Sequence, residues 1–250
     1  FDCRKGTMKE RHTKIIEIVS QRKKVEVSEL AQILGATPAT IRKDLSYLSD
    51  KGILNRERGY AVLKSTGDIN YRMAFDFETK KKIAHYAASL VKENEMILLE
   101  SGSLCALFAE EVAAANKNVT FITNTANIAK YVQKDSDARV ILLGGNFQKQ
   151  SQAAVGPMTR QCVKTFEVGK IFVGIDGFSS EIGFMGNDID RADTIQAMAE
   201  SASELIIMAE SGKFSTAAPI PCFSFDAVSQ EINDSGIESE TKQLLEDKGI

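Results

Sequence analysis

The chain has 250 residues, 43% of them hydrophobic and 26% charged, and its 31 Lys+Arg against 34 Asp+Glu leave a formal net charge of −3. That length fits one large domain or two smaller ones at about 100–200 residues each, and the composition excludes a chain disordered throughout. Four scattered cysteines (Cys3, Cys105, Cys162, Cys222) with no CxxC pair exclude a zinc knuckle or a disulfide framework, and two histidines, His12 and His85, exclude a His-rich metal centre.

The opening FDCRKGT has no periodic pattern and is set aside. Over residues 9–21, Ile15, Ile16, Ile18 and Val19 recur at the spacing of an amphipathic helix. VEVSELAQIL predicts a second helix, with Ser28 as N-cap and Leu30, Ile33 and Leu34 as its buried face. Gly35 ends it, because only glycine enters the left-handed region without a Cβ penalty. In ATPATIRKDLSYLSDKG, Thr37 is a good N-cap, Pro38 suits the first helical position, and Ile41, Leu45 and Leu48 face inward, with Gly52 closing the helix. ILNRERGYAVL then reads as a short hairpin. These elements predict a first domain over residues 8–63, a linker over 64–77 and a second domain over 78–250. In the second domain a helix begins over residues 80–90. EMILLE, NVTFITN, ARVILLGG, GKIFVGIDG and ELIIMAE then read as strands, alternating with helical LCALFAEEVAAA and DRADTIQAMAESA. Such alternation predicts an α/β fold with a mostly parallel sheet buried on both faces.

The charge is unevenly divided. Residues 1–72 carry 15 Lys+Arg against 9 Asp+Glu, a net +6, and the remainder carries 16 against 25, a net −9. A basic module of helix, helix, Gly-containing turn, helix and hairpin is the layout of a winged helix-turn-helix, whose last helix enters the major groove. With Ile41, Leu45 and Leu48 inward, that helix exposes Ala39, Thr40, Arg42, Lys43 and Ser46. Thr37, Thr40 and Ser46 can bond phosphates or bases, and Arg42 and Lys43 can reach guanine edges or phosphates. Arg56 and Arg58 in the hairpin are expected at the backbone or the minor groove, and Ser28 completes the candidate DNA contacts. The alternative is a small helical bundle that mediates protein contacts. Double-stranded operator DNA is the expected partner. A homodimer is expected too, since half-sites lie about 34 Å apart.

VSELAQILGATPATIRKDLSYLSDKGILNRERGYAVL resembles the N-terminal domain of the DeoR family of bacterial sugar-metabolism repressors. TIRKDL stands where the family carries Thr-Ile-Arg-Arg-Asp-Leu. RERGYA stands for the wing Arg-x-His-Gly-Gly-Ala, with Arg58 for the His and Tyr60 for the second Gly.

In MILLESGSLCALFAEE, the Ser101-Gly102-Ser103 turn between strand and helix points N–H groups and hydroxyls at a helix start, the geometry of an anion site. Further strand ends, TNT at 123–125, GG at 144–145 and GIDG at 174–177, fall where open α/β sheets bind ligands, and Lys213 could add a point charge. Residues 74–233 resemble the DeoR-family C-terminal domain, itself similar to ribose-5-phosphate isomerase, through ESGSLC, VTFITNTANI, VILLGGNFQKQSQAAVGP, KIFVGIDGFSSEIGF and MAESGKF. The resemblance extends the expected assembly to oligomers higher than a dimer and implies a cleft for a phosphorylated sugar or similar small anionic metabolite. Ser101, Gly102 and Ser103 would hold the phosphate, Thr123 and Asn124 would line the cleft, Asp176 and Gly177 would meet hydroxyls, and Lys213 would complete the charge. Leu104 stands where the family has the second Thr of Asp-x-Gly-Thr-Thr, Glu100 replaces its Asp, and Glu210 replaces the Asp before the Lys segment.

An isomerase would need a general base and groups that stabilise an enediolate. Asp176, Glu181 and Asp188 are candidate carboxylates and Lys213 the candidate cation, but no local sequence specifies such a base. Cys105 and Cys162 read as packed hydrophobes, and His85 lies on a helix remote from the turns. No charge-free stretch approaches the about 18 apolar residues of a membrane span. Nor does the chain start with the basic-then-apolar pattern of a secretion signal. The expectation is a cytoplasmic, ligand-responsive repressor with no cofactor, no metal and no membrane partner, not an enzyme. A sugar-phosphate isomerase and a ligand-free DNA-binding oligomeriser are the alternatives.

Overall fold

The computed structural model describes residues 8–50, 54–62, 69–74, 76–115, 117–132 and 137–250, so FDCRKGT and Gly52 lie outside the described residues. The chain divides into two compact units, Phe1–Glu78 and Thr79–Ile250.

The first unit contains α1 (Met8–Arg22), β1 (Lys24–Glu26), α2 (Val27–Ile33), α3 (Pro38–Asp50), β2 (Asn55–Glu57), β3 (Tyr60–Val62) and α4 (Ile69–Ala74). Ile15, Ile16 and Val19 of α1, Leu30 of α2, and Ile41, Leu45 and Leu48 of α3 form one buried core with Val25 and Ala61. The three strands pair antiparallel in the order β1-β3-β2. Thr37 Oγ1 accepts the Thr40 N–H at 3.2 Å and so caps α3, with Pro38 as its first residue. Gly35 takes φ +59 between α2 and α3. Two expectations fail in α2. It starts at Val27 after Glu26, so Ser28 lies inside the first turn and is not the N-cap. Ile33 is 47% exposed, because the buried stripe is Val27, Leu30 and Ala31 with half-buried Leu34, and a step of about 100° per residue carries Ile33 off it. Residues 64–77, read as a linker, contain α4.

Asp44 is the polar centre of this unit. It lies in α3 between buried Ile41 and Leu45, only 4% exposed, and accepts Arg11 Nε at 2.5 Å, Arg11 Nη2 at 3.0 Å and His12 Nε2 at 3.0 Å. Burial acts to raise its pKa, but the bonds from Arg11 and His12 outweigh it and hold the carboxyl below the usual value of 3.8. The stabilisation is therefore complete above that value and is lost as pH falls through the lower, folded one. Asp44→Ala should destabilise the first unit by about 1–3 kcal/mol at neutral pH. The gap between denaturant melts of parent and variant should narrow as pH falls below 3.8 and close once it passes the lowered value of the folded carboxyl.

The second unit opens with α5 (Phe77–Ser89), whose first turn holds the division between the units. There follow β4 (Met96–Leu99), α6 (Ser103–Ala114), β5 (Thr120–Thr123), α7 (Ala126–Val132), β6 (Arg139–Leu142), β7 (Asn146–Gln148), β8 (Ala153–Val155) and α8 (Pro157–Val163). The rest is β9 (Val168–Gly174), β10 (Gly177–Ser179), β11 (Gly183–Gly186), α9 (Ile189–Ala199), β12 (Ala202–Met208), β13 (Ile220–Phe223), β14 (Gln230–Ile232) and α10 (Ser239–Asp247). The main sheet has the order β14-β12-β9-β4-β5-β6, and every pairing is parallel. Its central strands are apolar on both faces, with Ile97, Leu98 and Leu99 of β4 and Ile171, Phe172 and Val173 of β9 buried. The chain runs outward from β4 through β5 to β6, then returns to β9 on the other side of β4 and continues to β12 and β14. The direction reverses between β4 and β9, which makes their carboxyl ends the topological switch point. The β7-β8 hairpin and the β10-β11-β13 sheet are antiparallel additions.

Candidate functional site

On α3 the outward residues form one polar face. Ala39, Arg42 and Lys43 are exposed, as is the cap Thr37, while Thr40 and Ser46 are half-buried. Thr37 and Thr40 hydroxyls lie 2.9 Å apart. Ser28 is exposed on α2, and Arg58 is exposed in the β2-β3 turn. Arg56 is not at that turn but on β2, and its Nη1 donates to Ser46 Oγ at 2.7 Å. Arg11, His12 and Asp44, which fix α3 from behind, were not among the sequence candidates. The Asp of TIRKDL, next to Leu45 and three residues after Ile41 on the apolar stripe of the helix, is the signal that could have found them.

At the switch point, Glu100 follows β4 and is fully buried. Arg191, in the first turn of α9, reaches across the strand ends, with Nη2 2.7 Å from Glu100 Oε1 and Nη1 3.3 Å from Asp176 Oδ2. The Glu100 charge raises the Arg191 pKa against the effect of burial, and Asp176 adds to it. The guanidinium therefore stays charged, and its buried Nε has no hydrogen-bond partner among the described residues. Asp176 also accepts the Asn187 N–H at 3.0 Å. Asp188 caps α9 by accepting the Arg191 N–H at 2.9 Å and takes Gln148 Nε2 at 2.9 Å. The crevice bounded by Asp176, Asn187, Asp188, Arg191 and Cys222 encloses about 10 Å³, room for about one water. Burial, with the Asp176 charge, pushes the Cys222 thiol up to about 12. Burial and Glu100 likewise raise Cys105. Neither thiol is a nucleophile at neutral pH.

The strand-end candidates divide into two sets. Several are committed to the protein itself. Ser101 is buried and donates to Glu100 Oε1 at 2.9 Å, and Thr123 Oγ1 accepts the Thr125 N–H at 3.3 Å. Asn124 is buried and donates to the Ala154 carbonyl at 3.0 Å, and its Oδ1 has no partner among the described residues. Leu104 is buried in α6. A Cβ on Gly177 would stand 2.5 Å from the Thr216 carbonyl oxygen, so this glycine serves close backbone packing. Gly102, Ser103, Asp176 and Lys213 keep partial exposure. Among the described residues no hydrogen bond or ion pair joins the Lys213 side chain to the others. Glu210 forms an ion pair with buried Lys80 at 2.8 Å. Of the carboxylates weighed for catalysis, Asp188 is a helix cap and Glu181 is exposed beside the β10-β11 turn. His85 pairs with Glu111 at 2.8 Å. Cys162, read as packed, is exposed on α8. Among the described residues no group of three or more His, Cys, Asp or Glu could hold a metal ion, and no helix is long and apolar enough to cross a membrane. Arg191 escaped the sequence candidates because its partners lie 91 and 15 residues away.

Two family models match the chain. The DeoR-like helix-turn-helix domain covers residues 11–66 and the DeoR C terminal sensor domain covers residues 76–235. The chain belongs to the DeoR family. A DeoR-type helix-turn-helix followed by a DeoR sensor domain is the composition of a transcription regulator, not of an enzyme. Among curated proteins, the uncharacterized HTH-type transcriptional regulator YulB of Bacillus subtilis is 31% identical over 96% of this chain and 94% of its own length. The glycerol-3-phosphate regulon repressor of Escherichia coli K12 is 27% identical over 96% of each chain. Among solved structures, ribose 5-phosphate isomerase A of Methanocaldococcus jannaschii aligns with a TM-score of 0.42 and 17% identity, over 56% of this chain and 55% of that one. In this DeoR-family chain the strand-end ion pairs have a stability consequence. Arg191→Met removes the guanidinium that pairs with the buried Glu100 carboxylate and should lower the stability of the second unit by about 3–5 kcal/mol. Adding Glu100→Gln should recover much of that loss, as read by the melting temperatures of the single and double variants.

Proposed function

We propose that the chain is a ligand-responsive repressor of a carbohydrate operon, acting in the cytoplasm. α3 enters the major groove of double-stranded operator DNA. Thr40, Arg42 and Lys43 meet bases and phosphates there, with Thr37, Ala39 and Ser46 at the rim and Ser28, Arg56 and Arg58 adding contacts from α2 and the wing. The observation that carries this reading is the division of α3. Arg42 and Lys43 project to solvent while the neighbouring Asp44 is buried and held by Arg11 and His12. A helix so anchored presents its basic face with little freedom left to lose on binding. The protein acts as a homodimer or higher oligomer, because two recognition helices must meet half-sites about 34 Å apart. The repressor sense is supported by similar proteins named as operon or regulon repressors.

The effector is a phosphorylated sugar or similar small anionic metabolite that enters at the strand ends. Gly102, Ser103, Asp176 and Lys213 meet it, while Ser101, Leu104, Thr123, Asn124 and Gly177 shape the walls behind them. Because the crevice beside Arg191 encloses only about 10 Å³, ligand entry requires it to open, and that opening is the change by which effector and operator affinity are coupled, by about 1–3 kcal/mol. Arg42→Ala should weaken operator binding by about fivefold or more in a titration at fixed salt, with the melting of the second unit unchanged. Unchanged affinity would overturn the assignment of α3. Lys213→Ala should keep operator affinity but need more of a sugar phosphate, found by thermal shift of the full chain, to release it. Release at parental concentrations would remove Lys213 from the ligand site.

A further inference from the structure

The register of the three-stranded sheet decides where each wing side chain goes. Val25, Ala61 and Arg56 form one cross-strand row, flanked by the row Lys24, Val62, Asn55 and the row Glu26, Tyr60, Glu57. Successive side chains alternate faces. Arg56 therefore shares the face of Val25 and Ala61, which are buried in the helical core. The other face carries Lys24, whose Nζ lies 2.8 Å from Glu57 Oε2 and 4.8 Å from the centroid of the Tyr60 ring. β2 is an edge strand of the sheet, so Arg56 stands at the border of the helical face, where its guanidinium reaches α3.

Ser46 is suited to receive it. The Ser46 hydroxyl donates to the Arg42 carbonyl oxygen at 2.9 Å, which spends its proton inside the helix and leaves an acceptor for Arg56 Nη1 at 2.7 Å. Ser46 also lies one turn beyond Arg42 on the same helix face. The Arg56 guanidinium thus joins the surface that carries Arg42, with one of its five N–H donors bonded among the described residues. We propose that Ser46 is a positioning residue that holds Arg56 on the recognition face, so that Arg56 contacts DNA in the major groove beside Arg42. This assignment rests on α3 being the recognition helix. It moves Arg56 away from the minor-groove role that its place in the hairpin sequence implies, and leaves the turn residue Arg58 as the arginine of the wing tip.

The test uses the full chain and duplexes that the parent recovers from a random-sequence pool. Arg56 is exposed and Ser46 half-buried on the outward face of α3, outside the core, so the variants should melt with the parent. Arg56→Ala should lose about tenfold in affinity and relax the base preference at one position next to that set by Arg42. Ser46→Ala should lose part of the same affinity, Ser46→Thr should keep it, and the double variant should lose no more than Arg56→Ala alone. Losses that multiply in the double variant, or Ser46→Thr behaving like Ser46→Ala, would overturn the positioning role. A parent that binds with Arg56→Ala indistinguishable from it overturns the inference while leaving α3 as the recognition helix. A parent that enriches no duplex overturns both.

Discussion

A sheet whose strands all run one way delivers every strand-end loop to a single edge. That constraint governs the second unit. It brings Glu100 after β4 and Asp176 after β9 to adjacent positions, although 75 residues separate them in the chain. The reversal of strand order falls between those two strands, where open α/β sheets form their binding crevice. Two carboxylates at that point need a counter-charge, and α9 supplies it through Arg191. Asp188 caps the same helix and so fixes the turn from which Arg191 projects.

Both units rest on a buried carboxylate held by arginine, used for different ends. In the first, Asp44 ties α3 to α1 and leaves the basic side of α3 outward. In the second, Glu100 and Asp176 draw Arg191 into the crevice and close it. Such pairs add little net stability compared with apolar packing, but an unpaired buried charge is costly. They therefore specify one arrangement strongly. In a regulator, an arrangement specified by a few charge pairs is also one that a charged ligand can compete for.

The net charge of −3 averages two opposite surfaces. The basic excess falls in the part of the chain matched by the DeoR-like helix-turn-helix domain, and the acidic excess in the part matched by the sensor domain. Local charge governs encounter with a polyanion over a Debye length of about 8–10 Å, so an acidic second unit is compatible with a DNA-facing first one.

Periodicity, caps and short motifs are local, and what depends on them was legible from the residues alone: the core stripe of α3, the Thr37 cap and Gly35 turn, the alternation that makes an α/β sheet, and TIRKDL with its family. Short elements without a strong pattern escaped, among them β1, β14 and the hairpin β7-β8, because three residues cannot show a period. Ile33 escaped because one apolar residue beside a stripe looks like a member of it. The partners of buried polar groups were out of reach altogether. Nothing local says that Ser101 will spend its hydroxyl on Glu100, that Gly177 is small for the sake of Thr216, or that Arg56 will turn toward Ser46. The amino-acid order determined which segments are helix or strand, and to which family they belong. Only the tertiary structure decided which polar groups remain for a ligand or DNA, because hydrogen-bond and charge partners are chosen across strand register and helix packing, at separations no sequence window spans.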